Sequence, residues 1–268
     1  MYQAYGVLGF PLGHSLSPYL HNAAFETHGM KGCYFKWEIE PRQLSDFMKA
    51  VTLLPVRGVS VTIPYKEQVI SYLDEISPAA RDIGAVNTIY LENEKLKGDN
   101  TDYSGFMAPL KGMELNSALV LGAGGASRSI LYGLRKLGIS RIVISNRNKD
   151  KAEKLALEFG IESIDWSQRK EINVDVLVNS TPLGTKGDNQ DKTPWEFEHF
   201  PFKIVYDLVY NPLQTRLLRQ AEEKGVQVIS GLSMFIHQAR EQFRIWTGET
   251  FSPDWAEDLI QKKMSENS

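Results

Sequence analysis

Short runs of Val, Ile and Leu, each about as long as one β-strand, alternate with helical patterns along almost the whole chain. Alternation of this kind implies largely parallel sheets. Parallel neighbours need a crossover, and a helix supplies one while covering a sheet face. In the first half the strand candidates are residues 5–9, 33–39, 58–63 and 86–91. In the second half they are 118–121, 141–145, 174–179, 204–208 and 226–229.

The intervening stretches carry helix signals. Residues 17–29 open with Ser17 as the expected cap and Pro18 as the first helical position, repeat apolar residues at helical spacing, and stop at Gly29. Residues 41–54 and 64–76 also open on proline. Further helices are expected at 127–137, 150–159, 215–224, 232–246 and 253–263, with residues 265–268 a frayed polar tail. A boundary is expected near 100–112, where a helix can bridge the halves. The last two helices have no strand to follow, so they are expected to return to the first half. Residues 188–192 read as an exposed loop.

Composition narrows the function classes. Of 268 residues, 42% are hydrophobic and 24% charged, and the net charge is −3, a balance that argues against a dedicated nucleic-acid binder. The single cysteine, Cys33, cannot close an intramolecular disulfide or anchor a zinc cluster, and reads as a small buried side chain. Residues 1–16 lack a basic start, and no apolar run reaches the roughly 20 residues of a membrane helix. A cytoplasmic chain without a membrane partner is expected. The histidines, His14, His21, His28, His199 and His237, show no metal-ligand spacing, so no metal is expected and they read as solvated or structural.

One segment carries recognisable chemistry. Leu119-Val120-Leu121 runs into Gly122-Ala123-Gly124-Gly125-Ala126-Ser127-Arg128, a strand entering a glycine turn and then a helix. This resembles the dinucleotide fingerprint, in which the backbone approaches a pyrophosphate at a helix N-terminus. Ser127 stands at the third glycine position. The next strand ends in Asn146-Arg147-Asn148-Lys149, with Lys151 beyond, where an NAD enzyme usually has a carboxylate. A guanidinium there suits a 2′-phosphate, so NADP is favoured, with a solvated basic turn as the alternative. Asn179 to Gly184, including Thr181, follows another strand and suits the cofactor end of an open sheet or an ordinary loop.

Polar residues in the first half suggest a substrate. Ser15 and Ser17 place two hydroxyls at a helix start, suited to a carboxylate. Lys66 is expected in a first helical turn, where a cation opposes the dipole, so it reads as a functional lysine or as an exposed helix lysine. Asn87 lies on the following strand, and Asp102 just before the bridging helix, as a functional acid or simply a cap-region acid.

Six segments, taken in order, resemble the shikimate dehydrogenase family: 13–22 (GHSLSPYLHN), 60–66 (SVTIPYK), 84–88 (GAVNT), 98–102 (GDNTD), 122–126 (GAGGA) and 146–151 (NRNKDK). They span nearly the whole chain. The resemblance implies NADP-linked reduction of 3-dehydroshikimate to shikimate, a step of aromatic amino acid biosynthesis. It implies Lys66 and Asp102 as the catalytic pair and Ser15, Ser17, Thr62, Asn87, Tyr210 and Gln238 as substrate contacts. It places the cofactor at Gly122, Ala123, Gly124, Gly125, Ala126, Asn146, Arg147, Lys151, Thr181, Gly231 and Met234. The implied fold is two α/β domains. Residues 1–101 and 235–268 would form a substrate-binding domain with a mainly parallel sheet, completed by the C-terminal helices. Residues 102–234 would form a Rossmann-like NADP-binding domain. A monomer or homodimer is expected, with only small-molecule partners. The chain departs from the family's usual residues at Ser60, Tyr103, Ser233 and His237. Two alternatives remain beside this reading: a quinate/shikimate dehydrogenase that also uses NAD, and a non-catalytic NADP sensor.

Overall fold

The structure, a computed structural model, describes residues 2–13 and 15–266. The expectations for His14 and for the end of the polar tail, residues 267–268, fall outside the described residues. The chain divides into two compact units, Met1–Thr101 with Ile236–Ser268, and Asp102–Phe235.

The first unit is built on β1 (Gln3–Gly9), β2 (Gly32–Glu38), β3 (Val56–Val61), β4 (Glu75–Ile76), β5 (Thr88–Glu92) and β6 (Lys95–Asp99). They form one mixed sheet in the order β2-β1-β3-β5-β6-β4. Pairings β1–β2, β1–β3 and β4–β6 are parallel, whereas β3–β5 and β5–β6 are antiparallel. The sheet carries α1 (Ser17–Thr27), α2 (Leu44–Leu53) and α3 (Pro78–Ile83). Leu8, Val59, Val61 and Ile89 pack with Leu44, Met48 and Val51 of α2 in one core.

Three local differences from the sequence reading have physical causes. Residues 64–76 do not form an α-helix. A 3-10 helix spans Gln68–Tyr72, and Glu75–Ile76 leaves to pair with β6. The backbone of Asp74 bonds to Leu96 at 2.9 Å, so sheet pairing overrides helix propensity. Second, α1 has Leu16 at its N-cap with no side-chain cap bond. Ser17 is therefore the first helical residue and not the cap. Third, β6 and α3 were unforeseen. β5 and β6 form a hairpin through Asn93 and Glu94, both at positive φ, the geometry of a tight two-residue turn. α3 is capped by Ser77, which accepts from Ala80 N, and ends at left-handed Gly84. Cys33 is half-buried on edge strand β2, more open than expected.

The second unit begins with α4 (Asp102–Met107). It continues through β7 (Ser117–Leu121), α5 (Gly125–Lys136), β8 (Arg141–Ser145), α6 (Lys149–Phe159) and β9 (Glu162–Ile164). Then come β10 (Val176–Asn179), β11 (Ile204–Asp207), α7 (Arg216–Glu223) and β12 (Gln227–Ser230). All strand pairs are parallel, in the order β12-β11-β10-β7-β8-β9. Numbered within the unit, this is the doubly wound 3-2-1-4-5-6 order of a dinucleotide fold. The strand β9 was unforeseen. Alternation along the strands divides two cores. Ala118, Val120, Val176 and Val178 face α5 and α6 residues, while Leu119, Leu121 and Leu177 face α7 residues and Trp195.

Two further helices complete the chain, α8 (Gly231–Thr247) and α9 (Pro253–Ser265). The unit boundary falls inside α8, between Phe235 and Ile236. In the first unit the Trp246 indole donates to the Ile89 carbonyl at 3.0 Å. α9 extends through Ser265, so that residue is helical and not part of a frayed tail. Residues 188–192 are mostly exposed. No helix among the described residues is long and apolar enough to cross a membrane.

Candidate active site

In the first unit, polar segments converge at one end of the sheet. Thr62 follows β3, and its amide bonds to the Leu8 carbonyl near the end of β1 at 2.9 Å. Val61 N donates to Asn87 O at 2.7 Å, and Val86 N donates to Lys66 O at 2.7 Å. These bonds bring the segments of Thr62, Lys66 and Asn87 together. Lys66 sits in a turn before the 3-10 helix, half-buried, and not in the first turn of an α-helix as expected. The dipole argument for it therefore does not hold, and its candidacy rests on the company it keeps.

Asn87 is 2% exposed. Its Oδ1 accepts from Thr101 N and from Thr88 Oγ1, each at 2.7 Å, and its Nδ2 donates to Thr101 Oγ1 at 3.0 Å. The amide thus fixes the residue preceding Asp102. Asp102 itself is buried at the first position of α4 in the second unit, where a carboxylate complements the helix dipole.

A buried chain of hydrogen bonds runs behind these groups. Tyr34 OH donates to Ser60 Oγ at 2.6 Å, and Ser60 Oγ donates to Gln242 Oε1 at 2.8 Å. Gln242 Nε2 donates to Asn87 O and to Thr88 Oγ1, each at 3.1 Å. Burial pushes the Tyr34 phenol well above its ordinary range, with bonds to Ser60 and Ser17 opposing the shift. Ser17 therefore lies at one end of this chain and Asn87 at the other. Ser15 Oγ accepts from Ser17 N at 3.4 Å, so the two serines are linked. Gln238 is half-buried on α8, one turn before Gln242.

Sequence reading missed Tyr34 and Gln242, whereas His21 was read as solvated or structural. The signal for Gln242 was present, an amide four residues after Gln238 on an otherwise apolar helix face. His21 is fully buried and stacks on Tyr34 at 4.5 Å. Neither ring nitrogen has a hydrogen-bond partner. Burial lowers its pKa to about 3. Nearby Gln242 opposes that shift, though its amide is committed to Ser60, Asn87 and Thr88. Its role is structural.

In the second unit, the glycine turn follows β7. Gly122 has φ +114°, open to glycine, and a Cβ there would meet Ser180 Oγ at 2.5 Å. Gly124 is exposed, and a Cβ there would meet nothing within 4 Å. The bare backbone of Gly124 thus borders open space at the start of α5, where Ala123, Gly125 and Ala126 are half-buried. Ser127 is buried, and its Oγ accepts from Gly124 N at 3.0 Å while lying 3.0 Å from Gly122 O and 2.9 Å from Ser180 Oγ. The serine at the third fingerprint position therefore ties the turn closed.

Asn146 and Arg147 follow β8. Asn146 Nδ2 donates to Asn148 O at 2.9 Å, and Asn148 caps α6 by accepting from Lys151 N. Arg147 and Lys151 are exposed, and Arg147 makes no ion pair with a described residue. After β10, Asn179 Oδ1 accepts from Thr181 N at 2.9 Å and Thr181 Oγ1 at 2.7 Å. Tyr210 stacks on Phe235 at 4.9 Å. Met234 is buried in the core of this unit, and Gly231 lies where a Cβ would strike the Leu208 carbonyl, which gives both a packing role. An open glycine turn at a helix start with a cationic side chain after the next strand fits NADP. Among the described residues no three His, Cys, Asp or Glu side chains gather as metal ligands.

The family models described as Shikimate dehydrogenase substrate binding domain, Shikimate / quinate 5-dehydrogenase and Shikimate 5'-dehydrogenase C-terminal domain match residues 7–89, 108–185 and 231–254. A Shikimate dehydrogenase (NADP(+)) of Maridesulfovibrio salexigens is 44% identical over 263 residues, covering 97% of each chain. The chain belongs to the shikimate dehydrogenase family. A family member from Oleidesulfovibrio alaskensis is 45% identical, covering 96% of this chain and 94% of its own. The solved family member from Thermus thermophilus, in complex with NADP(H) and shikimate, superposes with a TM-score of 0.88 at 39% identity. That match covers 97% of this chain and 99% of that one. These family relatives favour neither the dual-cofactor nor the sensor alternative.

Proposed function

We propose that this chain catalyses the reversible NADP-dependent reduction of 3-dehydroshikimate to shikimate. The observation that carries the reading is the convergence of the segments of Thr62, Lys66 and Asn87 at one end of the first sheet. With Ser15 and Ser17 linked to the same network, the first unit offers many hydroxyls and amides for a polyhydroxylated anion. A site built around substrate hydroxyls rejects analogues that lack them, because its own polar groups would be left unpaired.

Ser15 and Ser17 are assigned to the substrate carboxylate, Thr62, Asn87 and Gln238 to its ring hydroxyls or carboxylate, and Tyr210 to a further substrate contact. Lys66 and Asp102 handle the proton at the substrate oxygen, Lys66 exchanging it and Asp102 orienting the hydroxyl. The reduced cofactor, when bound, supplies the hydride. The glycine turn, from Gly122 to Ala126, receives its pyrophosphate, and Asn146, Arg147 and Lys151 its 2′-phosphate. Thr181, Gly231 and Met234 complete that half. The same reading places a monomer or homodimer in the cytoplasm, acting on a small molecule with no nucleic-acid or membrane partner.

A turnover assay with 3-dehydroshikimate and NADPH tests the reading. The reverse direction is run with shikimate and quinate, and with NADP and NAD. NADPH binding without turnover would leave a sensor, and equal kcat/KM for NAD and NADP would leave the dual-cofactor enzyme.

A further inference from the structure

Asp207 ends β11 fully buried and has no part in the chemistry above. Three donors converge on its carboxylate. Oδ1 accepts from Asn179 Nδ2 at 2.8 Å and from Val209 N at 3.1 Å, and Oδ2 accepts from Thr215 Oγ1 at 2.6 Å. The groups around it are neutral: Asn179 from β10, Thr215 from the N-cap of α7, Gly184 from the loop after β10, and Ser230, its register partner on β12. Burial lifts its pKa to about 6, with the three hydrogen bonds opposing. A buried carboxylate without a cation is costly, so stability alone does not account for an acid at this position.

What the carboxylate holds is a loop. Asn179, gripped by Asp207, turns its own Oδ1 toward Thr181 and its Nδ2 toward the Leu183 carbonyl at 3.2 Å. At the far end Gly184, with φ +99°, lies where a Cβ would come within 3.2 Å of the Thr215 methyl. Thr215 is the residue that donates to Asp207. The Asn179 end of the segment therefore hangs on the carboxylate directly, while Gly184 packs close to Thr215 and donates its own amide to Asn189 O at 2.8 Å.

We propose that Asp207 is a positioning residue for the NADP-binding loop from Asn179 to Gly184, clamping it only while its carboxylate is ionised. The inference rests on the assignment of Thr181 to the cofactor site. Every partner of the carboxylate is a donor. A protonated acid places its own donor against one of them, so one hydrogen bond reverses or is lost and the loop slackens.

The test is calorimetric titration of the full chain with NADP+ from pH 8 to pH 5. Wild type, Asp207→Asn and Thr181→Ala are compared. The 2′-phosphate titrates in the same range, so the quantity read is the ratio of variant to wild-type Kd at each pH. Asp207→Asn presents a donor where the acid would. It is expected to bind about three- to tenfold more weakly at pH 8, the scale of one hydrogen bond, and to match wild type near pH 5. A ratio independent of pH overturns the proposal. Thr181→Ala is expected to weaken binding at every pH, and an unchanged Kd there removes the loop from the cofactor site instead. If Asp207→Asn fails to fold, the wild-type affinity for NAD+, which lacks the 2′-phosphate, must still fall as the pH drops from 7 to 5. A flat profile overturns the proposal.

Discussion

The hydroxyl of Ser127 accepts from the amide of Gly124 at 3.0 Å, and this bond closes the glycine turn from inside the first turn of α5. A third glycine at this position would permit close packing but would leave the Gly124 amide without that acceptor. Ser127→Ala should therefore lower stability by about 0.5–1.5 kcal/mol, the net contribution of one hydrogen bond. It should also weaken NADP+ binding. Thermal melting with and without NADP+ separates the effects, because a purely structural loss lowers the melting temperature equally in both.

Arg147 is exposed and uncommitted to any ion pair with a described residue, so its removal should not disturb the fold. Arg147→Ala should weaken NADPH binding about ten- to a hundredfold, the equivalent of roughly 1.5–3 kcal/mol for a charge-assisted contact. NADH binding should barely change. Equal losses for both nucleotides would take Arg147 out of the phosphate site.

Lys66→Ala should lower kcat by roughly 10²–10⁴, the range for a lost general acid–base group, with NADPH affinity nearly intact. Lys66→Met should behave alike, since it keeps bulk and loses charge. Asp102→Asn should be similarly slow, and the double variant far less than multiplicatively worse, because groups acting as a unit are non-additive. Retention of more than about a third of wild-type kcat, well outside that range, would return Lys66 to an ordinary turn lysine.

His21 should make the protein acid-labile. Its folded pKa, about 3, lies below the ordinary 6.5. The unfolded chain takes up a proton that the folded chain refuses, so stability is complete above about pH 6.5 and is lost as the pH falls toward 3. The loss is on the order of a few kcal/mol. Asp207 acts in the opposite sense, since its pKa is raised from 3.8 to about 6 and it favours folding as the pH falls through that range. Urea unfolding from pH 7.5 to pH 4 should show a weaker pH dependence in His21→Phe, which keeps a ring beside Tyr34. An identical slope in the variant would assign the acid lability elsewhere.

The second unit was largely legible because its strands are buried on both faces and read as uninterrupted apolar runs, as in Leu119–Leu121 and Val176–Val178. The first sheet was less so. β6, with the sequence Lys-Leu-Lys-Gly-Asp, is mostly polar and is recruited by its hairpin with β5, and the Asn93-Glu94 turn lacks the usual glycine. Lys66 drew attention through a helix that the chain does not form. The segments of Thr62, Lys66 and Asn87 were separately visible, but their convergence depends on backbone bonds such as Val86 N to Lys66 O. Gln242, Tyr34 and Asp207 stayed hidden because a buried polar residue shows its purpose only through partners far away in sequence, 182 residues away for Ser60 and Gln242.

The position of the unit boundary inside α8 limits how this protein can be taken apart. A fragment ending at Phe235 would amputate α8 after five residues, too short to hold a helix alone, and would leave Met234 at a fraying end. Extending the fragment to Thr247 would carry Gln242 away from Ser60, Asn87 and Thr88, stranding an amide whose partners remain on the other piece. Neither cut yields a fragment with its hydrogen bonds intact, so the boundary between the units is not a clean place to divide the chain.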